Sequence, residues 1–75
     1  MKKIDQLINY IHSAGYPIPF IEYYSHLHGD CYKFLNPFTR FQQDKIVLCG
    51  INDGFLTALE KQKTWIDEQP KQNTN

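Results

Sequence analysis

The side chains best suited to chemistry in this chain are two histidines and two cysteines in its middle part. His26, His28 and Cys31 lie within six residues of one another, and Cys49 follows eighteen residues later. Imidazole and thiolate are the ligands that zinc prefers in proteins. On a helix, however, side chains two residues apart differ by about 200° in direction, so His26 and His28 would face opposite ways. The sequence also has no Cys-x-x-Cys pair. The sequence therefore predicts no metal site and no cofactor. If a metal were bound, these four residues would be its weak candidate ligands.

A catalytic centre is not predicted either. His28 and Cys31 have the spacing of a thiol–imidazole pair at a helix end, but a working nucleophile also needs an orienting third group and an oxyanion site. The carboxylates are scattered, and Gly50 and Gly54 are isolated, so there is no glycine-rich phosphate loop. We predict a protein that is not an enzyme and has no catalytic residues.

The charge balance argues against a protein that depends on phosphate contacts. Eight lysines and arginines balance eight aspartates and glutamates, giving a net charge of zero, whereas nucleic-acid-binding domains usually carry a basic surplus. Met1-Lys2-Lys3 leads directly into an amphipathic segment rather than a signal peptide, and the longest apolar run, 46–49, is far too short to span a bilayer. We expect a cytoplasmic protein without membrane contact, in which the two thiols stay reduced.

Aromatic side chains are the most unusual feature of the composition. The chain has five tyrosines, five phenylalanines and one tryptophan, and seven of these rings lie between Phe20 and Phe41. Large rings bury much apolar area, and tyrosine and tryptophan often anchor interfaces. Because several rings fall outside the helical stripes described below, we expect the surplus to form a contact surface for a larger protein. The predicted partner-binding residues are Tyr16, Tyr23, Tyr24, Tyr32, Lys33, Phe34 and Arg40.

This interpretation predicts a small, non-enzymatic protein–protein interaction domain. Such a domain would bind and inhibit a larger partner, in the manner of the accessory proteins that phages and mobile elements encode. Burial of the surplus rings between identical copies, as a homo-oligomer, is a further alternative.

Residues 42–59 support a second hypothesis, which is nucleic-acid binding. The segment has a leading glutamine, a turn glycine followed by an apolar residue and a cap, and two apolar positions spaced for burial. These are Gln42, Gly50, Ile51, Asn52, Leu56 and Leu59. The segment is similar to the helix-turn-helix of phage-type repressors, although Lys45 and Ile46 depart from that pattern. The resemblance implies a DNA-binding protein or transcriptional regulator, with DNA-binding residues Asn52, Thr57, Lys61 and Lys63.

Two helices at the ends of the chain would position these groups. Apolar residues at the i, i+3, i+4, i+7 spacing predict a helix over 3–14, and Gly15 suits its C-terminus because glycine tolerates positive φ. A last helix would begin at Asn52 or Asp53 and stop at Gln69-Pro70. The stripe of the first helix is Ile4, Leu7, Ile8 and Ile11, and that of the last is Phe55, Leu56, Leu59 and Ile66. Residues 70–75 are predicted to be a disordered tail.

The middle of the chain is ambiguous. Pro19 suits the first turn of a helix over 19–28, and Asn36-Pro37 has the form of an N-cap and first-turn proline for a third helix that runs toward Cys49. Residues 31–35 and 46–49 also read as short strands. We predict a mainly α fold, a compact single domain over 1–69 with about four short helices. The alternative is an α+β fold with a small two-stranded ribbon at 31–35 and 46–49.

Overall fold

Two helices at the ends of the chain flank a three-stranded sheet in the computed structural model of the protein, which describes residues 2–25, 29–39 and 44–69. The helices are α1 (Lys2–Ser13) and α2 (Phe55–Asp67), and the strands are β1 (Phe20–Ser25), β2 (Gly29–Leu35) and β3 (Lys45–Gly50). A short 3-10 turn, Ile51–Asp53, connects β3 to α2. The strands lie in the order β1-β2-β3, and both pairs are antiparallel.

The prediction of a mainly α fold with about four short helices is wrong, because the chain has an α+β fold. Strand β1 replaces the helix expected over 19–28, and β3 replaces the end of the third helix. The two segments of the alternative, 31–35 and 46–49, lie in β2 and β3, and β1 adds a strand that neither prediction contained. The reason is that aromatic and β-branched residues fit a half-buried pleated surface well, so that pairing in the sheet overrides their local helical spacing.

The Asn36-Pro37 sequence forms a turn rather than the start of a helix. The Asn36 side-chain oxygen accepts a hydrogen bond from the Phe38 N–H at 3.0 Å, and the Asn36 N–H donates to the Asp44 carbonyl at 3.0 Å. An asparagine oxygen that bonds the N–H two residues ahead serves equally well in an Asx turn and in a helix cap. The sequence signal for a local bond was therefore correct, and the helix inferred from it was not.

The end of α1 has the geometry that the sequence predicts. Gly15 has a φ of +90°, its N–H donates to the His12 carbonyl at 2.9 Å, and the Tyr16 N–H donates to the Ile11 carbonyl at 3.1 Å. These two bonds form a Schellman motif, in which the residue after the glycine packs back on the last turn. The motif carries Tyr16 into the core next to Ile11, and both side chains are buried.

The core lies between the helices and one face of the sheet. Its buried residues are Leu7, Ile11, Tyr16, Phe34 and Leu59. On β2, Phe34 packs edge-on against Trp65 with ring centroids 5.3 Å apart, and the ring centroids of Tyr32 and Phe55 are 5.9 Å apart. Because alternate residues of a strand share a face, Tyr32 and Phe34 define the helix face of the sheet, and Cys31 and Lys33 lie on the far face.

Polar contacts at the surface join α1 to α2. Lys3 forms an ion pair with Glu60 at 2.9 Å, and the Tyr10 hydroxyl donates to the Asp67 carboxylate, which also pairs with Lys63 of its own helix at 2.9 Å. The Lys63 ammonium also lies 4.8 Å from the centroid of the Tyr10 ring. Exposed pairs of this kind each contribute little, so they orient the two helices more than they stabilise them.

One polar side chain lies fully inside the core. Gln62 on α2 is 0% exposed, and its amide nitrogen donates to the Pro17 carbonyl at 2.8 Å. Its amide oxygen has no hydrogen-bond partner among the described residues. The bond fixes the 14–19 link against α2, and the link in turn sets where β1 begins.

Replacing Gln62 with alanine should lower the free energy of unfolding by about 2–4 kcal/mol, because the change leaves a cavity and removes the bond to Pro17. Urea unfolding followed by circular dichroism would measure the change. Gln6→Ala, at an exposed position of α1, is the matched control and should change the value by less than about 0.5 kcal/mol. Equal effects of the two substitutions would contradict a structural role for Gln62.

Candidate protein-binding site

The structure buries three of the seven residues that the sequence predicts for partner binding. Phe34 is 0% exposed, Tyr16 6% and Lys33 8%. Tyr16 and Phe34 pack against each other with ring centroids 5.9 Å apart, and Tyr32 is half-buried against Phe55. These rings stabilise the fold, and a partner that approaches the folded chain cannot reach Tyr16 or Phe34.

The other three residues of that prediction have different positions. Tyr23 on β1 is 55% exposed. Tyr24 also lies on β1, but its side chain falls outside the described part of the structure, and Arg40 lies outside the described residues altogether. Tyr23 is therefore the predicted residue whose described side chain is most accessible to a partner.

An apolar neighbour on the same strand extends the surface around Tyr23. Ile21 is 54% exposed, and these two side chains are the most exposed large hydrophobic groups in the described ranges. In the register of the sheet Ile21 lies opposite Tyr32, which places Ile21 and Tyr23 on the helix face. The helices pack against β2 and β3 and leave this part of β1 uncovered. We call Ile21 and Tyr23 the β1 patch.

Sequence reasoning missed Ile21 because it placed this residue in a helix over 19–28. The signal that could have found it is the run Phe20-Ile21-Glu22-Tyr23-Tyr24, in which aromatic and β-branched residues predominate. In a strand, Ile21 and Tyr23 share a face, and Glu22 points the other way. The apolar side chains of Ile21 and Tyr23 therefore lie on one face of β1, and the Glu22 carboxylate between them lies on the other.

Glu22 ties the three strands together on the far face. Its carboxylate accepts hydrogen bonds from Lys45 at 2.8 and 2.9 Å and from Lys33 at 3.2 Å, so one residue of β1 contacts both β2 and β3. The Lys45 bond and then the Lys33 bond lower the pKa of the Glu22 carboxyl. The triad holds β1 in register, and thereby fixes the direction in which the β1 patch points.

The two cysteines lie on neighbouring strands and are both buried and free. Burial, and then the Asp53 carboxylate, raise the pKa of the Cys49 thiol, so this sulfur is a poor metal ligand and a poor nucleophile at neutral pH. His26 and His28, the other candidate ligands, lie outside the described residues. In the part of the chain that is described, no three metal-binding side chains come together.

The premise of the DNA-binding hypothesis is wrong, because the first helix of the expected helix-turn-helix is the strand β3. Gln42, which leads the segment, lies outside the described residues. Asn52 lies in the 3-10 turn, and Thr57, Lys61 and Lys63 lie on α2. Lys63 is paired with Asp67. A strand and a short 3-10 turn precede α2, in place of the helix that would position it in a major groove.

Comparison with known proteins assigns no family to this chain. A scan against protein-family models, a search of curated proteins and a search of solved structures each found no match. Among the described residues, neither helix has the length and apolar character needed to cross a membrane.

The Glu22 triad should make stability fall in acid. Because the lysines lower the pKa of Glu22 in the folded state from its ordinary value of 4.5, the unfolded chain takes up the proton first as the pH drops. The triad's contribution is therefore complete above that ordinary value and is lost as the pH falls through the folded-state pKa. Urea midpoints between about pH 7 and about pH 3 would show a steeper decline for the unmodified chain than for Glu22→Gln.

A matched control for this prediction is Glu68→Gln. Glu68 is exposed and forms no ion pair with the described residues, so its replacement removes a carboxylate without removing a bridge. This variant should keep the steep acid decline of the unmodified protein. Parallel pH profiles for Glu22→Gln and the unmodified chain would contradict the role of the triad.

The burial of both thiols predicts slow modification in the folded state. Cys31 is 4% and Cys49 8% exposed, so a thiol reagent such as dithionitrobenzoate should react with them mainly when the chain opens. We expect modification to be at least about a hundredfold slower in buffer than in denaturing urea, because opening of a stable core is rare. Rapid reaction of either thiol in the folded protein would contradict its burial.

Proposed function

We propose that this chain is a small, non-enzymatic domain that binds a larger protein partner through the β1 patch. The observation that supports this is the pairing of Ile21 and Tyr23, each more than half exposed, on one face of an outer strand. Single exposed apolar residues are ordinary on protein surfaces, whereas contiguous ones tend to mark interaction sites. Contact with a partner would remove both side chains from water.

The polar groups around the patch suit such a contact. The Tyr23 hydroxyl makes no hydrogen bond with the described residues and so can donate one to a partner. Asp30 lies opposite Tyr23 in the register and is exposed, which gives the apolar centre an acidic rim. Tyrosine at the centre of a patch with charge at its margin is the usual anatomy of a protein interface.

The anchoring of the strand by Glu22 also supports binding. Two lysines bind Glu22 on the far face, and these bonds tie β1 to both other strands in the absence of a partner. A preorganised surface loses less conformational entropy on binding than a loose one. By occupying a functional surface of its partner, a domain of this kind would act as an accessory or inhibitory protein.

The double variant Ile21→Ser/Tyr23→Ser should lose partner binding while it keeps the fold. Affinity capture from the native host, followed by purification of the captured protein and titration calorimetry, would measure the effect. We expect a loss of affinity of at least about a hundredfold, because two anchor side chains are removed. Circular dichroism would verify that the variant remains folded.

Leu56→Ser is the matched control, because Leu56 is also a partly exposed apolar residue, at 37%, but lies on α2. It should bind the purified partner as tightly as the unmodified chain does. Equal affinity of the double variant and the control would rule out the β1 patch as the binding site.

A further inference from the structure

We infer a second binding site, for an extended peptide, in the groove between the outer strand β3 and helix α2. This inference goes beyond the proposed function, because β3 and β1 form opposite edges of the sheet. The groove has a volume of about 420 Å³, which lies within the usual range for ligand sites. Its lining includes residues 46–48 of β3, Lys61 and Trp65 of α2, and Glu68, which directly follows α2.

The backbone of β3 offers the hydrogen-bonding groups of an unpaired edge. The Asn36 N–H donates to the Asp44 carbonyl. This bond shows which residue pairs of β2 and β3 are hydrogen-bonded and which are not, because the two kinds alternate along an antiparallel pair. Ile46 then bonds to Phe34 in β2, and the N–H and C=O groups of Lys45 and Val47 point away from β2. In the described ranges β3 pairs with β2 alone. The chemistry that satisfies such groups is another extended backbone.

The helix gives the groove a wall of matching length. From Thr57 to Glu68 the wall rises about 16 Å, which is the length of about five residues of extended chain. Ile46, Leu48 and Trp65 make the floor apolar. A strand added to β3 would point alternate side chains toward this wall, so one central apolar side chain would reach the floor.

Two charged side chains on the helix wall, Lys61 and Glu68, determine which charge the bound peptide should carry at each end. Glu60 is paired with Lys3 at 2.9 Å, but Lys61 and Glu68 form no ion pair with the described residues. Helix α2 runs antiparallel to β3, because Phe55 packs near Tyr32, the partner of Cys49, and Trp65 packs against Phe34, the partner of Ile46. Lys61 is therefore closer to the C-terminal end of β3, and Glu68 closer to its N-terminal end.

These features define one class of peptide. Paired antiparallel to β3, it carries an acidic residue, an apolar residue and a basic residue at alternate positions from its N-terminus. The acidic side chain meets Lys61, the apolar one meets Leu48 and Trp65, and the basic one meets Glu68. Backbone bonds to Lys45 and Val47 supply the pairing, and the two charges fix the direction.

A synthetic peptide with aspartate, leucine and lysine at alternate positions and threonine between them is the probe. Titrated into isotope-labelled protein, it should give saturable amide shifts at residues 45–48 and along α2 from 57 to 68. The same peptide with N-methylated backbone amides between its charged ends should not bind, because it lacks the donors that strand pairing requires. Binding of the methylated peptide with unchanged affinity would overturn strand addition.

A charge exchange makes the matched control. Lys61→Glu/Glu68→Lys should bind the original peptide at least about fivefold more weakly and should recover affinity for a peptide with its aspartate and lysine exchanged. Both substituted positions are exposed, so the fold should persist. Failure of the exchanged peptide to recover binding to the folded variant would overturn the charge assignment.

Two further outcomes decide between occupants and between sites. If sedimentation shows the protein alone as a dimer, with amides 45 and 47 protected from exchange, the groove belongs to a second copy and the peptide inference fails. The Ile21→Ser/Tyr23→Ser variant should bind the peptide as the unmodified chain does. Loss of the protein partner with retained peptide binding would therefore leave this site standing, and the reverse would leave the proposed function standing.

Discussion

The packing of the Tyr16 ring is the interaction on which the rest of the structure depends. Its centroid lies 5.0 Å from that of Phe38, 5.7 Å from that of Trp65 and 5.9 Å from that of Phe34, and each contact is edge to face. Such contacts contribute beyond the area that they bury. Tyr16 follows α1, Phe34 lies on β2 and Trp65 lies on α2, so one side chain connects the two helices to the sheet. The Schellman motif at Gly15 makes this position possible.

This arrangement explains why most of the aromatic side chains that the structure describes are buried or half-buried. A chain of 75 residues buries only about 60% of the surface that it exposes when unfolded, so a small domain uses its largest side chains to complete its core. Tyr16 and Phe34 are buried in the core in this way. The β1 patch lies at the edge of this core packing, since α2 covers β3 and β2 but does not extend over β1. Ile21 and Tyr23 therefore mark the limit of the core, and this is the surface that we propose for a partner.

The ends of the chain were predictable from sequence, and its middle was not. The stripe of α1 and the positive φ of Gly15 follow from local rules that tertiary structure does not override. For residues 20–50 local signals were compatible with two structures, since Asn36 makes the same kind of bond in a turn as in a cap. The choice was made by contacts distant in sequence. Lys33 shows the same limit among the predicted partner-binding residues, because its ammonium pairs with Glu22, eleven residues away on β1, and no local pattern shows that pair.

Irregularities in the two outer strands limit how far either edge of the sheet can pair with another chain. The register of β1 shifts between Tyr23 and Ser25, and that of β3 shifts at Leu48, between the partners of Tyr32 and Lys33. A bulge bends an edge and ends its regular ladder, which limits pairing with a long flat strand. On β3 the regular part offers the outward groups of Lys45 and Val47. Backbone pairing over so short a stretch is weak and unselective, so any peptide bound there must gain its affinity and its specificity from the side chains of the neighbouring helix.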